Sequence, residues 1–490
     1  MICIFFPQLL PNSFVSSVLH TKDVRKLRLG QRTYGGLVES IPAFEHSRFL
    51  YADAACPSKW SEVQALCMKV LQAQARLPED DEKVVIYNFA YYPLDLDWVD
   101  NLFHKAMQTD IPLFVEKHPH QTAGQPARFV AACMTYQQLI EATLESSEPA
   151  RVQAGDDQIA NLGHTATALR LFGSGFSLRH FNSLQPSRNV FFLKLSSVVE
   201  KMQAEYDFFR QLPAPVRPYF PQVGDLVMEA DRSGYEIEAV PCLDVAKSLL
   251  NGVFANRHDG ELLMSLLDQY LQSCPAQKVG EEAYARRAEA LFVDKLKKRV
   301  DMLLQHACVP KMDVMCQMNG MGSVAHFADL YVAALQKDIE QHKEDTLVFS
   351  HGDLFFSNIL FDSTKEYIKL IDPRGRVSPQ AEDDYMPAWY DLAKLSHSFL
   401  GHYDLMVYDM MDVVMQRDLT LGLKDAHVPG VALLEQTFLD YLKKRNISVK
   451  RLRLYESSLF LSMMPLHAED ELRMHRQLIR AMELYRFSTT

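Results

Sequence analysis

Residues 348–375 read VFSHGDLFFSNILFDSTKEYIKLIDPRG, and this stretch decides the fold of the C-terminal part of the chain. Residues 359–361 and 367–371 are apolar runs that predict two short strands. Residues 362–365 between them, Asp-Ser-Thr-Lys, are typical of a turn. The stretch therefore predicts a β-hairpin.

Three polar side chains lie at one end of this predicted hairpin. Asp353 and Asn358 precede the first strand, five residues apart, and Asp372 follows the second strand, fourteen residues after Asn358. Transfer of a phosphoryl group from a magnesium-bound nucleotide requires a group that orients the attacking hydroxyl and oxygen ligands that hold metal against the phosphates. An aspartate, an asparagine and a second aspartate in this arrangement predict that chemistry.

An upstream segment supplies a second half of such a site. Residues 190–195 form an apolar strand that carries Lys194, and Glu205 follows eleven residues later. Apolar residues recur around Glu205 at helical spacing, at positions 198, 202, 206 and 209. A strand lysine paired to a glutamate on the next helix positions nucleotide phosphates. Gly173 and Gly175, before this strand, are candidates for a loop that covers the phosphates.

The segment His351-Gly352-Asp353, with Asn358 and Ile371-Asp372, resembles the catalytic core of the aminoglycoside phosphotransferase and choline kinase group, which shares the protein-kinase fold. The resemblance implies that Asp353 is the catalytic base. It also implies that Asn358 and Asp372 bind Mg²⁺ and that the nucleotide is ATP.

The segment WYDLAKL, residues 389–395, resembles a later motif of the same group. That resemblance implies that Asp391 braces the catalytic loop without touching substrate. The chain departs from protein kinases at Pro373, where they have phenylalanine, and proline stiffens the loop. Whether Arg374 contacts a phosphate stays open at this stage.

Residues 1–155 predict a separate α/β domain. Five apolar runs, near residues 2–6, 48–51, 84–87, 112–115 and 129–132, alternate with helical patterns and indicate a mostly parallel sheet. The layout resembles nucleotide-diphospho-sugar transferases, and its fusion to a kinase-like part resembles bacterial capsule and surface-polysaccharide biosynthesis proteins. The Gly-rich loop of those transferases is missing, and Asp95 is interpreted as a helix cap. We therefore assign this domain no active site.

The rest of the chain predicts a bilobal α+β kinase-like domain, with a sheet-rich small lobe at residues 156–240 and a helical large lobe at residues 241–490. The tail from residue 400 onward is predicted as further helices. The cluster Lys295, Lys297, Lys298 and Arg299 lies on a helical pattern and is interpreted as a solvated face.

Composition narrows the possible partners. The 490 residues carry a formal net charge of −11, which argues against nucleic acid as the main partner. The eight cysteines form no Cys-x-x-Cys pair and indicate a reducing compartment. No apolar run is long enough to span a membrane, so we expect a cytoplasmic protein. The sequence leaves the oligomeric state and the acceptor open.

The preferred hypothesis is an ATP- and Mg²⁺-dependent phosphotransferase that acts on a hydroxyl of a sugar, a sugar derivative or an aminoalcohol. One alternative is a non-catalytic kinase-like scaffold or regulatory protein. Another is a protein kinase or nucleotidyl transferase that uses the same site.

Overall fold

The structure, a computed structural model, describes residues 1–7, 24–26, 28–29, 32–54, 56–57, 60–109, 111–117, 128–141, 150–155, 158–161, 182–186, 191–228, 232–240, 242–374, 384–468 and 470–489. The chain divides into two compact units, unit 1 in residues 1–173 and unit 2 in residues 174–490. The predicted boundaries at residues 155 and 240 stay predictions. Gly173 and Gly175 lie outside the described residues. No helix in the described part is long and apolar enough to cross a membrane.

Unit 1 alternates strands and helices. Its strands are β1 (Ile2–Phe6), β2 (Arg28–Leu29), β3 (Arg32–Thr33), β4 (Arg48–Tyr51), β5 (Lys83–Asn88), β6 (Tyr91–Pro93), β7 (Leu113–Lys117), β8 (Arg128–Thr135), β9 (Ala150–Gln153) and β10 (Ile159–Asn161). Its helices are α1 (Tyr34–Glu39), α2 (Trp60–Gln72), α3 (Leu96–Met107) and α4 (Tyr136–Glu141).

The main sheet of unit 1 has six strands in the order β4-β1-β5-β8-β7-β9. β1 is parallel to β4 and β5, and β7 is parallel to β9, but β8 is antiparallel to both of its neighbours. The sheet is therefore mixed: five of its six strands run in one direction and β8 runs in the other, which agrees with the prediction of a mostly parallel sheet. An apolar run does not encode strand direction, because a buried strand has the same composition in either orientation.

The core of unit 1 follows from helical spacing on α2. Val63, Cys67 and Leu71 are fully buried, four residues apart, and they share a hydrophobic cluster with Ile4 and Ile86 of the sheet. Asp95 is the N-cap of α3, because its carboxylate accepts a hydrogen bond from the Trp98 backbone N–H at 2.8 Å. The interpretation of Asp95 as a cap is confirmed.

Unit 2 begins with strands and continues mainly with helices. Its strands are β11 (Asn182–Pro186), β12 (Phe191–Ser196), β13 (Val223–Met228), β14 (Ser233–Glu238), β15 (Leu243–Asp244), β16 (Ala276–Lys278), β17 (Thr346–Phe349), β18 (Ile359–Asp362), β19 (Tyr367–Leu370), β20 (Tyr385–Met386), β21 (Met411–Met415) and β22 (Leu421–Asp425).

The helices of unit 2 are α5 (Val199–Arg210), α6 (Val245–Leu250), α7 (Arg257–Ser273), α8 (Glu281–Ala288), α9 (Lys295–Leu303), α10 (Val309–Met318), α11 (Val324–Gln341), α12 (Trp389–Phe399), α13 (Tyr403–Val407), α14 (Val431–Lys444), α15 (Val449–Met463) and α16 (Glu471–Thr489). A π-helical segment, Glu289–Asp294, joins α8 to α9.

A four-stranded antiparallel sheet opens unit 2, in the order β11-β12-β14-β13. α5 follows β12 and buries Met202, Glu205, Phe208 and Phe209. These residues are three, three and one positions apart, so they share the helix face that packs on the sheet. The same face therefore brings the carboxylate of Glu205 to the strand that carries Lys194.

The predicted hairpin is present as β18 and β19. Ile359 pairs with Leu370, and the Ile371 backbone N–H then donates to the Asn358 carbonyl at 3.0 Å. This last bond places Asn358 beside the residue that precedes Asp372. The two side chains thus lie at the same end of the hairpin because of backbone register.

The C-terminal tail contains one hairpin that the sequence did not predict. β21 and β22 pair over five residues each and interrupt the helices. The prediction of a helical tail is wrong in this segment and confirmed for α14, α15 and α16.

Candidate active site

A buried lysine connects the sheet of unit 2 to its first helix. The Lys194 side chain is 2% exposed, and its ammonium lies 2.6 Å from Glu205 Oε2. The same carboxylate oxygen accepts a hydrogen bond from the Tyr235 hydroxyl at 3.0 Å. The structure therefore brings together the lysine and glutamate that were predicted as a pair, and it adds Tyr235 of β14 as a third member.

Lys194 also reaches Asp372, which is 178 residues further along the chain. The ammonium lies 2.7 Å from Asp372 Oδ1. Burial alone lowers the pKa of Lys194, but the carboxylates of Asp372 and Glu205 outweigh burial and raise that pKa well above its ordinary value. Lys194 is therefore a fixed cation that joins the two halves of the predicted site.

Asp372 has an unusual backbone. Its φ of 53° lies in the left-handed region, which only a few per cent of residues other than glycine adopt, asparagine, aspartate and histidine more often than the rest. The backbone reverses directly after β19, and Pro373 follows. Strain of this kind is typical of functional sites, where the fold holds one side chain in a required direction. Here the direction is toward Lys194.

Asp353 and Asn358 contact each other directly. The Asn358 amide nitrogen donates to the Asp353 carbonyl oxygen at 2.9 Å and lies 3.4 Å from Asp353 Oδ2. Because the amide nitrogen faces Asp353, the amide oxygen of Asn358 faces away from it. The structure thus places both residues at the end of the hairpin where Asp372 lies.

Asp391 supports the turn before Asp353, as the resemblance implied. Its two carboxylate oxygens accept hydrogen bonds from the backbone N–H groups of His351 and Gly352, at 2.8 and 2.9 Å. Burial raises the pKa of Asp391 to about 6, against the lowering effect of these two bonds. Gly352 is required here, since its φ is 77° and a Cβ would lie 2.8 Å from the Cβ of Arg374.

His351 holds the same turn through its neutral imidazole ring. Nε2 lies 2.9 Å from the Ile371 carbonyl, and Nδ1 accepts from the Asp353 backbone N–H at 3.2 Å. The ring is fully buried and stacks on Phe220. Burial lowers the pKa of His351 to about 4. Both ring nitrogens are used by the backbone, so His351 positions the turn.

The buried imidazole predicts loss of stability in acid. The pKa of His351 is below the 6.5 of an ordinary histidine, so the unfolded chain takes up this proton first as pH falls. The His351 contribution to the free energy of unfolding is complete above pH 6.5 and decreases between pH 6.5 and 4. We expect a decrease on the order of 3 kcal/mol from this residue. Urea denaturation at pH 7.5 and pH 4.5 measures it.

The control for this prediction is His351→Gln, which has no group that titrates in this range. His397 is also buried, and burial lowers its pKa well below the ordinary value, so it adds pH dependence to both proteins. The difference between wild type and variant isolates His351. An equal change in unfolding free energy in the two proteins would contradict the assignment.

Lys394 is a further site residue, which was not predicted from the sequence. Its ammonium lies 2.7 Å from Asp353 Oδ1, and the side chain is 6% exposed. Burial acts to raise the pKa of Asp353, but Lys394 outweighs burial, and the pKa is lowered. The sequence feature that points to Lys394 is its spacing on a helix. Lys394 is three residues after Asp391 and so lies on the same face of α12.

The interpretation of the basic cluster on α9 is corrected at one position. Lys297 and Lys298 are exposed, as expected for a solvated face. Lys295 is not part of that face, because it is partly buried and its ammonium lies 3.0 Å from the Tyr390 hydroxyl. The helix turns this one lysine inward. The spacing of the residues along the sequence does not distinguish Lys295 from the three basic residues at positions 297–299.

Arg374 also reaches Tyr390. Its Nη1 lies 3.4 Å from the hydroxyl, and its backbone N–H donates to the His351 carbonyl at 3.0 Å. Burial raises the pKa of Tyr390, but Lys295, Arg374 and Lys394 outweigh burial and lower it to about 8. Three cations therefore surround one hydroxyl next to the turn that carries Asp353.

The donor set agrees with Mg²⁺. Asp372 offers a carboxylate and Asn358 an amide oxygen, both hard oxygen ligands, at one end of the hairpin. Within the described residues, no group of three or more His, Cys, Asp and Glu side chains is placed to hold a metal. Mg²⁺ commonly takes one or two protein oxygens and completes its shell with water and phosphate. The two residues suit a metal that arrives with a nucleotide.

Neither a protein-family model nor a curated protein matches the chain. Solved structures do match it. A glucosamine kinase in complex with glucosamine, ADP and inorganic phosphate is 12% identical, and the match covers 62% of this chain and 79% of that one with a TM-score of 0.40.

Two aminoglycoside phosphotransferases match in the same way. A thermostable mutant of APH(4)-Ia in its apo form is 11% identical, covering 64% of this chain and 94% of that one, with a TM-score of 0.40. A type VIII aminoglycoside-3'-phosphotransferase is 16% identical, covering 58% and 94%, with a TM-score of 0.32. They belong to the group that the sequence motifs resemble. At these values the likeness carries no conclusion about the activity of this chain.

Proposed function

We propose that unit 2 is a phosphotransferase that moves the γ-phosphoryl group of ATP to a hydroxyl of a small molecule, with Mg²⁺. The observation that supports this most directly is the ammonium of Lys194, which lies within 2.7 Å of both Glu205 and Asp372. The contact unites the strand-and-helix half of the site with the hairpin half. A buried lysine–glutamate pair or a hairpin aspartate can serve stability alone, but their convergence on one cation fits a phosphate-binding centre.

In this proposal, Lys194 and Glu205 hold the nucleotide phosphates, with the glutamate fixing the lysine. Asp372 and Asn358 hold Mg²⁺. When bound, the metal neutralises the charge that develops on the phosphate oxygens. The contact between Lys194 and Asp372 holds the lysine that would bind the phosphates beside the aspartate that would bind the metal.

Asp353 performs the proton transfer in the proposed reaction. Its carboxylate accepts the proton of the acceptor hydroxyl while that oxygen forms a bond to the γ-phosphorus. The bond between this phosphorus and the bridging oxygen breaks, and ADP leaves with the electron pair. Lys394 keeps Asp353 ionised and supplies positive charge beside the transferred group. Positioning and charge stabilisation account for most of the catalysis.

The proposed acceptor class is a sugar, a sugar derivative or an aminoalcohol. The setting in surface-polysaccharide biosynthesis rests on the layout of unit 1 and unit 2 and is part of the proposal. We assign no activity to unit 1.

A protein kinase would carry an Ala-Pro-Glu segment after Asp372, and the sequence has none there. The main rival is thus a scaffold that binds nucleotide without turnover.

Thermal unfolding with ATP and Mg²⁺ tests nucleotide binding. We expect ATP with Mg²⁺ to raise the stability of unit 2 by about 2–3 kcal/mol at a hundredfold excess over Kd, and ATP with EDTA to raise it clearly less. Asp372→Asn should reduce the part of the ATP-induced stabilisation that depends on Mg²⁺ and keep the part that is also seen with EDTA. Equal shifts with Mg²⁺ and with EDTA in the wild type would contradict the metal assignment. The absence of any shift would contradict the function.

A further inference from the structure

Two basic side chains from different segments meet at one buried hydroxyl in unit 2. Lys295 of α9 and Arg374, which follows β19, lie 3.0 and 3.4 Å from the hydroxyl of Tyr390. Both cations also lie over the Tyr390 ring, 5.6 and 5.8 Å from its centre. Tyr390 itself is 1% exposed. We call these three residues the cationic corner.

The charges at the cationic corner are unbalanced. Lys394 is a third cation there, but its ion pair with Asp353 uses the carboxylate of that residue. In the part of the chain that the structure describes, no ion pair links Lys295 or Arg374 to an acidic side chain. Two positive charges thus lie at one hydroxyl, and the nearby carboxylate that acts on Lys295, that of Asp353, is already paired with Lys394.

Such an arrangement is costly without a counter-ion. Burial lowers the pKa of Lys295, and the nearby charges of Lys394 and Arg374 lower it further. A protein can avoid this cost by solvating the lysine, as it does for Lys297 on the same helix. Here the chain instead directs Lys295 inward beside Arg374. A guanidinium, an ammonium and a hydroxyl donor at one point form a set that binds phosphate or carboxylate oxygens.

Two of the three residues of the cationic corner, Lys295 and Tyr390, lie in the helical part of unit 2, away from the sheet that carries Lys194. Lys194 belongs to the sheet and is held by Glu205 and Asp372. Lys295 and Tyr390 belong to the helical part, and Tyr390 immediately precedes Asp391, which supports the turn that carries Asp353. The cationic corner therefore lies next to Asp353, because Lys394 pairs with the Asp353 carboxylate and Lys295 also acts on it.

We propose that the acceptor is an anionic small molecule, whose phosphate or carboxylate group binds Lys295 and Arg374 while its hydroxyl faces Asp353. This rests on the proposed phosphotransferase function and narrows its acceptor. A hydroxylated sugar acid or a sugar phosphate carries both the negative group and the hydroxyl that this arrangement requires. Aminoalcohols and other cationic acceptors are repelled by it. Tyr390 donates a further hydrogen bond to the bound group.

A small anion tests the cationic corner without knowledge of the acceptor's shape. The unfolding temperature is measured in the presence of the Mg²⁺ complex of AMP-PNP, which fills the γ-phosphate position. In these samples, sulfate is compared with chloride at constant ionic strength. We expect sulfate to raise the unfolding temperature further, by on the order of 3 °C at saturation. Lys295→Met and Arg374→Gln should each abolish most of this sulfate increment.

Lys297→Met is the matched control, because it removes an exposed lysine from the same helix, and it should retain the full sulfate increment. The proposal is overturned if sulfate has no effect on the wild type with AMP-PNP bound, or if Lys295→Met and Arg374→Gln both keep the increment. A sulfate effect that disappears when AMP-PNP binds also overturns it, since the anion then belongs to the γ-phosphate position. Failure of AMP-PNP itself to raise the unfolding temperature contradicts the phosphotransferase function separately.

Discussion

Asp353→Ala is expected to lower kcat by about 10³-fold while the affinity for ATP changes little, because positioned proton transfer contributes about 10²–10⁴-fold. The residue contacts Lys394 and Asn358 but not Lys194, so the groups proposed to hold the nucleotide phosphates stay in place. ADP production with an acceptor measures kcat. The thermal shift with ATP and Mg²⁺ measures binding in the same preparations.

Two further variants make this result specific. Asp353→Asn keeps the size of the side chain but not its charge, and it should lose turnover almost as fully. Asp362→Asn is the matched control, since Asp362 lies at the opposite end of the hairpin and its carboxylate caps the turn at Thr364 and Lys365. That variant should keep kcat within about threefold, as expected for a surface change. Turnover by Asp353→Ala at the wild-type rate would remove Asp353 from the mechanism.

The hairpin end of the site could be predicted because its information is local. Asn358 and Asp372 are brought together by the register of β18 and β19, and that register follows from two apolar runs and one turn. The pair Lys194 and Glu205 is local in the same sense, because a strand leads directly into an amphipathic helix. In both cases the spacing along the chain determines which face each side chain occupies.

The cationic corner could not be predicted because it depends on three separate segments. Lys295, Arg374 and Tyr390 come from α9, the loop after β19 and α12, and only packing of unit 2 brings them together. The sequence shows a run of basic residues at 295–299 but not which one faces inward. The sequence also does not show which strand of unit 1 runs opposite to the others, because the direction of β8 is a property of the packed sheet.

Glu205→Ala is expected to destabilise unit 2 by about 3 kcal/mol, the lower end of the cost of breaking a buried ion pair. The carboxylate is fully buried and holds both Lys194 and the Tyr235 hydroxyl. Its loss leaves a buried ammonium with Asp372 as the partner that remains. Urea denaturation, monitored by fluorescence, measures the change in unfolding free energy.

Glu200→Ala is the matched control, because Glu200 is an exposed residue in the first turn of the same helix. It should cost less than about 1 kcal/mol, the range of a helix-dipole contact at the surface. Equal destabilisation by Glu200→Ala and Glu205→Ala would mean that the helix, and not the buried ion pair, determines the effect.

The double variant Lys194→Met with Glu205→Leu separates stability from function. Replacing both members of a buried ion pair by apolar side chains is often neutral or stabilising, because neither charge has to be desolvated. Asp372 tolerates the change, since its side chain is 23% exposed and reaches water. We expect the double variant to recover part of the stability that Glu205→Ala loses, because the buried Tyr235 hydroxyl still lacks its acceptor, and to show no shift with ATP and Mg²⁺. A folded protein without nucleotide binding would indicate that this ion pair serves the phosphates, since the fold then persists without it. Nucleotide binding at wild-type strength in the double variant would contradict the role of Lys194.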